Sequence, residues 1–474
     1  MNRLGKRLWL WVCLALLAGL ALRLWLIAHF SRVAGDSLVY GDIAKNLVIH
    51  HIYGLTEEAP LPRPTLIRVP GYPIFLALCF RLFGVKNYAA VLYVQTAIDL
   101  LSCYLASSTA GRLFGRRAAL PVLWIAALCP FTANYVAVPL TETLVLACIA
   151  LTFYGLVRWT QAGLGFNRWL WLVSGALSYG ILLRPEQGLL AAAVVPAMLW
   201  MTLKTPDRRR RLMASVYPVA VAAVCVLLPL LPWTVRNWRI YHVFQPLAPS
   251  SAADPGEMIG VGFNHWYRSW AVEFASTAEV AWPYDGDRIE LSAIPPRAYS
   301  LGCVFRSRTG PGELYTRTVA LLNDYNDETS ASPALDARFA ALANERIQAS
   351  PICYYIALPV ARVLNMALRP RTELLRIPME WWRWSQHRAQ TAFAAAYAAL
   401  NFAYLALAVA GFFAWRRAGW FGAPEVAWAM AASIVLRCGA LLALDISEPR
   451  FTLEFFPVLF VWAGAVFART GRAS

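Results

Sequence analysis

The stretch GDSLVYGDIAKNL sets Asp36, Tyr40, Ala44 and Leu47 at helical spacing, so one face of a short helix presents a carboxylate. Asp36 follows closely on a long apolar run, at a membrane edge where partial loss of water raises a carboxylate's basicity. Such a group can act as a general base or bind a divalent cation. An Asp in this place can equally cap the helix that follows it. Asp42 is a second carboxylate on the same segment. Arg68 precedes Pro-Gly-Tyr-Pro, and a guanidinium there can grip a phosphate through two oxygens or simply anchor the chain at an interface.

Three further places carry charge. In VPLTETLVL, Glu142 falls at the outer end of a tight helical hairpin. In GILLRPEQGLL, about sixteen residues before Arg184 rise only about 24 Å, less than a hydrocarbon core of about 30 Å. Arg184 and Glu186 should then lie below the outer interface, facing protein or water, because facing lipid is too costly. Mutual pairing of these two is the purely structural alternative. In LDISEPRFTLEFFPVL, Asp445, Glu448 and Arg450 fall at the mouth between the last two helices. Asp36, Glu142, Arg184 and Arg450 come from four separate places and are all expected at one membrane face. That arrangement suits a site taking a membrane-embedded anion and an outer acceptor.

The elements that must position these groups are transmembrane. The chain has 474 residues, 59% hydrophobic and 15% charged, far from the mixture of a soluble domain. Apolar windows at roughly 8–30, 87–110, 117–138, 142–158, 168–184, 187–203, 212–233, 390–414, 424–445 and 452–468 predict about ten transmembrane helices. Twenty Trp, twenty Tyr and twenty-three Phe fit interfacial belts. The net charge of +16 lies in short loops between apolar runs, marking a cytoplasmic side and arguing against nucleic acid as a partner. Both termini are expected in the cytoplasm. The basic N-terminal segment leads into an apolar run too long for a cleaved signal peptide, so a retained first helix is expected.

The division expected is a transmembrane module over 1–233, with a first outer loop at 31–86, a mixed extracytoplasmic region at 234–389, and C-terminal transmembrane helices at 390–474. Asp99 and Arg437 sit inside apolar windows, where mutual pairing is the expected structural role. Adjacent His50 and His51 point in different directions and make poor joint ligands. Most cysteines read as small buried hydrophobes, and only Cys303 and Cys353 fall in the outer region, where two positions alone establish no disulfide. No HExxH, P-loop or nucleotide-binding glycine pattern occurs.

Taken in order, GDSLVYGDIAKNL with a following YG, RVPGYPIFLALCFRLFG, TETL, LLRPE, PWTVRNWRIY and EPRFTLEFFPVL resemble the dolichyl-phosphate-mannose protein mannosyltransferases and their bacterial aminoarabinose-transferase relatives of the GT-C superfamily. The resemblance implies an all-α GT-C-like bundle, a polyprenyl-phosphate sugar donor, inversion at the transferred carbon and a catalytic acidic residue in the first outer loop. Asp36 matches that residue by position, with Asp42 as a second candidate. Ser37 follows Asp36 where the family often has Glu, and Phe451 follows Arg450 where Tyr is common, so a divalent cation stays unassigned.

On this reading Asp36 deprotonates the acceptor. Arg184 and Arg450, with Arg68 or Arg236, neutralise the leaving phosphate, while Tyr40, Glu142, Glu186 and Glu448 orient these groups or the sugar. The partners expected are the lipid-linked donor, membrane lipids, and a glycan, lipid or protein acceptor. A multi-pass transporter or flippase is the alternative, expected to spread functional charges through the bilayer depth and to show a repeat that is not evident here.

Overall fold

The computed structural model describes residues 3–56, 61–204, 216–249, 253–294 and 312–468. Eight helices are long and apolar enough to cross a membrane, or up to ten if each of two bent pairs is one span. The chain is an all-α integral membrane protein. Two of the expected spans differ in form. The window 117–138 is two helices, α5 (Arg116–Ala127) and α6 (Pro130–Asn134), bent by 43° because Pro130 lacks the N–H that would continue the ladder. The window 168–184 is α8 (Arg168–Leu183), only 16 residues.

The chain divides into two compact units. The first comprises Met1–Asp254, Phe402–Leu436 and Leu453–Ser474. In it α7 (Glu142–Gln161) packs against α8 and α4 (Tyr88–Phe114), and the helix Phe456–Gly464 packs on α4 and α5. Local signals set the boundaries: the Asn87 side chain accepts from Ala90 N to open α4, and Asn167 accepts from Trp169 N and Leu170 N to open α8. Gly411 is needed where the helix Arg388–Arg417 meets the Trp462 carbonyl, which an added Cβ would overlap at 1.9 Å.

Asp99 does not pair with Arg437. Its carboxylate accepts from Arg23 Nε at 2.7 Å and from Nη2, both groups wholly buried. Arg23 Nη1 also donates to Ala127 O at 2.7 Å, a carbonyl released by the helix break. This is a staple joining α1 (Arg3–Phe30), α4 and α5, in which each desolvated charge meets its partner. Arg437 instead donates to Phe451 O at 3.3 Å.

The segment after α1 forms α2 (Asp36–Ile49), a two-stranded antiparallel ribbon of β1 (Gly54–Leu55) and β2 (Arg63–Pro64), and α3 (Gly71–Phe83). Both helices fall where the apolar spacing predicts them, α3 being 13 residues and too short to span.

The second unit comprises Pro255–Asn401 and Arg437–Thr452. Its core gathers Phe263, Trp266, Tyr267, Tyr325 and Phe339 between the helices Val261–Arg268, Glu313–Glu328 and Pro333–Ala349. Expected as mixed, this region has helices and irregular segments among its described residues; the strands β1 and β2 lie in the first loop. Cys353 is disulfide-bonded, and Cys303 lies outside the described residues.

Candidate active site

Asp36 is the first residue of α2, and the preceding Gly35 adopts a positive φ of 55° with no side-chain cap. The carboxylate therefore turns away from its own helix end, and its Oδ1 accepts from Arg68 Nη2 at 2.9 Å. Both side chains keep partial access to solvent.

Arg68 is placed by a strap of backbone contacts. Tyr53 Oη donates to Arg68 O at 2.9 Å, and the Tyr53 ring meets Trp233 edge-on at 4.9 Å. Arg236, on the helix Leu230–Tyr241, donates to Tyr53 O and Thr65 O, each at 2.7 Å. Tyr241 Oη donates to Pro64 O, and buried Asp254 accepts from Leu66 N at 2.8 Å. The residues of PWTVRNWRIY thus act here on the loop that carries Arg68.

Arg184 leaves α8 in an extended conformation, and its fork is filled from two other elements. Nε donates to Thr141 Oγ1 at 2.7 Å, Nη2 to Glu142 Oε1 at 2.5 Å and Nη1 to Glu454 Oε1 at 3.4 Å. Gln187 Nε2 donates to the other Glu454 oxygen at 2.6 Å. Glu142 opens α7, so its charge sits at the positive helix end. All of these side chains are buried or nearly so.

Tyr40 is subject to the charges of both ion pairs. Its hydroxyl lies in the electrostatic reach of Arg68, Asp36, Arg184 and Glu142. Its ring meets Tyr72 edge-on at 5.1 Å, with the Arg68 guanidinium 5.7 Å from the ring centre. Burial raises the Tyr40 hydroxyl, against the opposing pull of Arg68, so it stays a neutral donor. Tyr72 is pushed up further by burial and by Glu142, and donates to Gln95 Oε1 at 2.7 Å. Gly71 closes the arrangement: an added Cβ would sit 2.5 Å from Leu182 O, so only glycine lets α3 start against the end of α8, two residues before Arg184.

Asp42 is occupied otherwise. It accepts from Lys45 Nζ at 2.5 Å, Thr56 N at 2.6 Å and Thr56 Oγ1 at 2.9 Å. Burial alone would raise its carboxyl, but the Lys45 and Thr56 hydrogen bonds outweigh that and hold it below the usual carboxylate range. It ties α2 to the residue after β1.

Glu448 and Arg450 pair with each other in the second unit. Glu186 lies on the short turn Pro185–Gln187. Sequence reasoning missed Thr141, Gln187 and Glu454. The first two flank chosen residues directly, and Glu454 is an acidic residue opening an apolar run, a signal available in EPRFTLEFFPVL. Among the described residues no group of three or more His, Cys, Asp or Glu side chains comes together to hold a metal. Asp36 meets a guanidinium, which offers donors only.

Residues 63–235 match the sequence profile of the family described as dolichyl-phosphate-mannose-protein mannosyltransferase, well under half of the chain. The matched segment holds the RVPGYP, TETL, LLRPE and PWTV stretches, and over it the family resemblance is borne out. Asp36, Asp42, Arg450 and Glu454 lie outside it. No curated protein sequence matches significantly. Among solved structures, the Archaeoglobus fulgidus oligosaccharyltransferase in complex with Zn and sulfate is 11% identical, with a TM-score of 0.48 over 96% of this chain and 48% of that one. ArnT from Cupriavidus metallidurans bound to undecaprenyl phosphate is 15% identical, with a TM-score of 0.39 over 98% of this chain and 78% of that one. AglB from Archaeoglobus fulgidus, in complex with an inhibitory peptide and a dolichol-phosphate, is 12% identical, with a TM-score of 0.44 over 98% of this chain and 50% of that one. The chain spans about half the length of the archaeal oligosaccharyltransferase.

Proposed function

We propose that this chain is a GT-C-type membrane glycosyltransferase that moves a sugar from a polyprenyl-phosphate donor to an acceptor on the outer face of the membrane. The observation that carries the reading is Tyr40, within reach of both the Asp36–Arg68 and the Glu142–Arg184 pairs inside one unit. The carboxylate of Asp36 and the guanidiniums of Arg68 and Arg184 thereby act on one hydroxyl.

In the reaction, Asp36 takes the proton from the acceptor as its atom attacks the anomeric carbon. The new glycosidic bond forms as the bond from that carbon to the phosphate oxygen breaks, and its electron pair leaves with the polyprenyl phosphate. Attack opposite the leaving group inverts the carbon. Phosphate is a weak base, so its departure needs charge stabilisation and no proton. Arg68 supplies it after exchanging Asp36 for a phosphate oxygen, while Arg184, clamped by Thr141, Glu142 and Glu454, presents a fixed charge. Arg236, first considered for the phosphate, is read here as a positioning residue for Arg68. The neutral Tyr40 hydroxyl orients the sugar or a phosphate oxygen. A carrier would draw on Asp99, yet Arg23 already engages that carboxylate.

The test is to incubate the purified protein with a panel of polyprenyl-phosphate sugars and measure released polyprenyl phosphate. Release with one donor supports the reading, and release with none across acceptor classes overturns it.

A further inference from the structure

The second unit contains a buried guanidinium beside a half-buried one, neither of which the reaction above uses. Arg362 is 1% exposed. Its Nη1 donates to Arg268 O at 2.9 Å and Ala271 O at 3.0 Å, satisfying carbonyls at the end of the helix Val261–Arg268. Its Nε and Nη2 are buried and have no hydrogen-bond partner among the described residues. Arg268 is half-buried, and its Nε is likewise buried without a partner among the described residues. Its Nη1 meets Asp445 Oδ1 at 3.2 Å, and the Tyr354 ring centre lies 5.5 Å from its Cζ. The charge of Arg268 acts directly on Arg362, and the carboxylate that reaches Arg362 is Asp445.

Arg268 and Arg362 are thus neighbouring like charges with Asp445 beside them, and three of their buried N–H-bearing nitrogens are unspent among the described residues. Water would fill donors but leave the charge imbalance. An oxyanion corrects both, because a phosphate oxygen accepts from a guanidinium fork and brings negative charge.

We propose that Arg268 and Arg362 form a binding site for an oxyanion of the phosphate class, filled by a lipid phosphate headgroup or by free phosphate. The site does not depend on the glycosyltransferase reading.

The purified full-length protein in neutral detergent should show a rise in its thermal transition with a short-chain phosphatidic acid, with inorganic phosphate, or with both, beyond that given by chloride at equal ionic strength. The half-saturating concentration should rise by about tenfold or more in Arg268→Gln, which leaves the Arg362 contacts to the helix end in place, and in Arg362→Lys, which keeps charge but loses the fork. A response to phosphatidic acid alone assigns the site to lipid, and a response to inorganic phosphate assigns it to the free ion; either supports the site. No response beyond chloride, or a response unchanged in both variants, overturns it.

Discussion

Replacing Arg184 by Met removes a guanidinium that Glu142 and Glu454 both meet, at 2.5 Å and 3.4 Å. The side-chain exposures of the three groups, 10% for Arg184, 2% for Glu142 and 8% for Glu454, decide the magnitude. Exposed ion pairs contribute about 0–1 kcal/mol, whereas stripping one partner from a buried pair costs about 3–5 kcal/mol because the remaining charge is left without compensation. Arg184→Met should therefore lower unfolding stability by several kcal/mol. Arg68→Met, whose pair with Asp36 is 22% and 28% exposed, should stay within about 1 kcal/mol. The triple variant Arg184→Met, Glu142→Gln, Glu454→Gln leaves no charge stranded and should recover most of the loss. Unfolding in detergent reads stability, and release of polyprenyl phosphate reads turnover. Turnover in the triple variant should remain down by about 100-fold or more, the usual effect of deleting a group that stabilises developing charge. Arg184→Met no less stable than Arg68→Met would refute the burial argument, and a triple variant of near-normal activity would reduce Arg184 to a structural strut.

Other outcomes follow from the same contacts. Arg23→Met should destabilise by about 3–5 kcal/mol and Arg23→Met, Asp99→Leu much less, read by thermal unfolding, since the double change leaves no buried charge unpaired. Gly71→Ala should cost about 1–3 kcal/mol and lower turnover through misplacement of α3 against Leu182; unchanged values would show that the contact yields freely. Asp42 has a folded-state acidity below its ordinary value of 3.8, so its stabilising contribution is complete above that value and is lost as pH falls through the lower folded value. Acid titration of Asp42→Asn should accordingly show a shallower loss of stability on that side than the parent protein.

The membrane class and most spans were legible because a window of about 20 apolar residues has few other uses. The short α2 and α3 were legible for a related reason, their apolar spacing stopping well before a membrane's thickness. Glu142 and Arg184 could be singled out because burying a charge needs a reason. Which charges pair was not legible. Arg23 lies in a run read as uniformly apolar, and its partnership with Asp99 depends on how α1 crosses α4 and on a carbonyl freed near Pro130, facts of packing and not of pattern. Glu454 escaped notice because its partner is 270 positions away in the chain. Arg236 was readable as a basic residue near the interface, while its use on the Tyr53 and Thr65 carbonyls follows from a loop path that spacing does not encode.

The central claim is that Asp36 accepts the acceptor's proton while a polyprenyl phosphate departs. Once a donor and acceptor pair is found, single-turnover release of polyprenyl phosphate should be compared between the parent protein and Asp36→Asn, with donor binding measured in parallel. The amide keeps the shape and an oxygen for Arg68 but cannot take a proton. The account predicts a rate lower by about 100-fold or more with donor affinity little changed. A rate within a few-fold of the parent would contradict it.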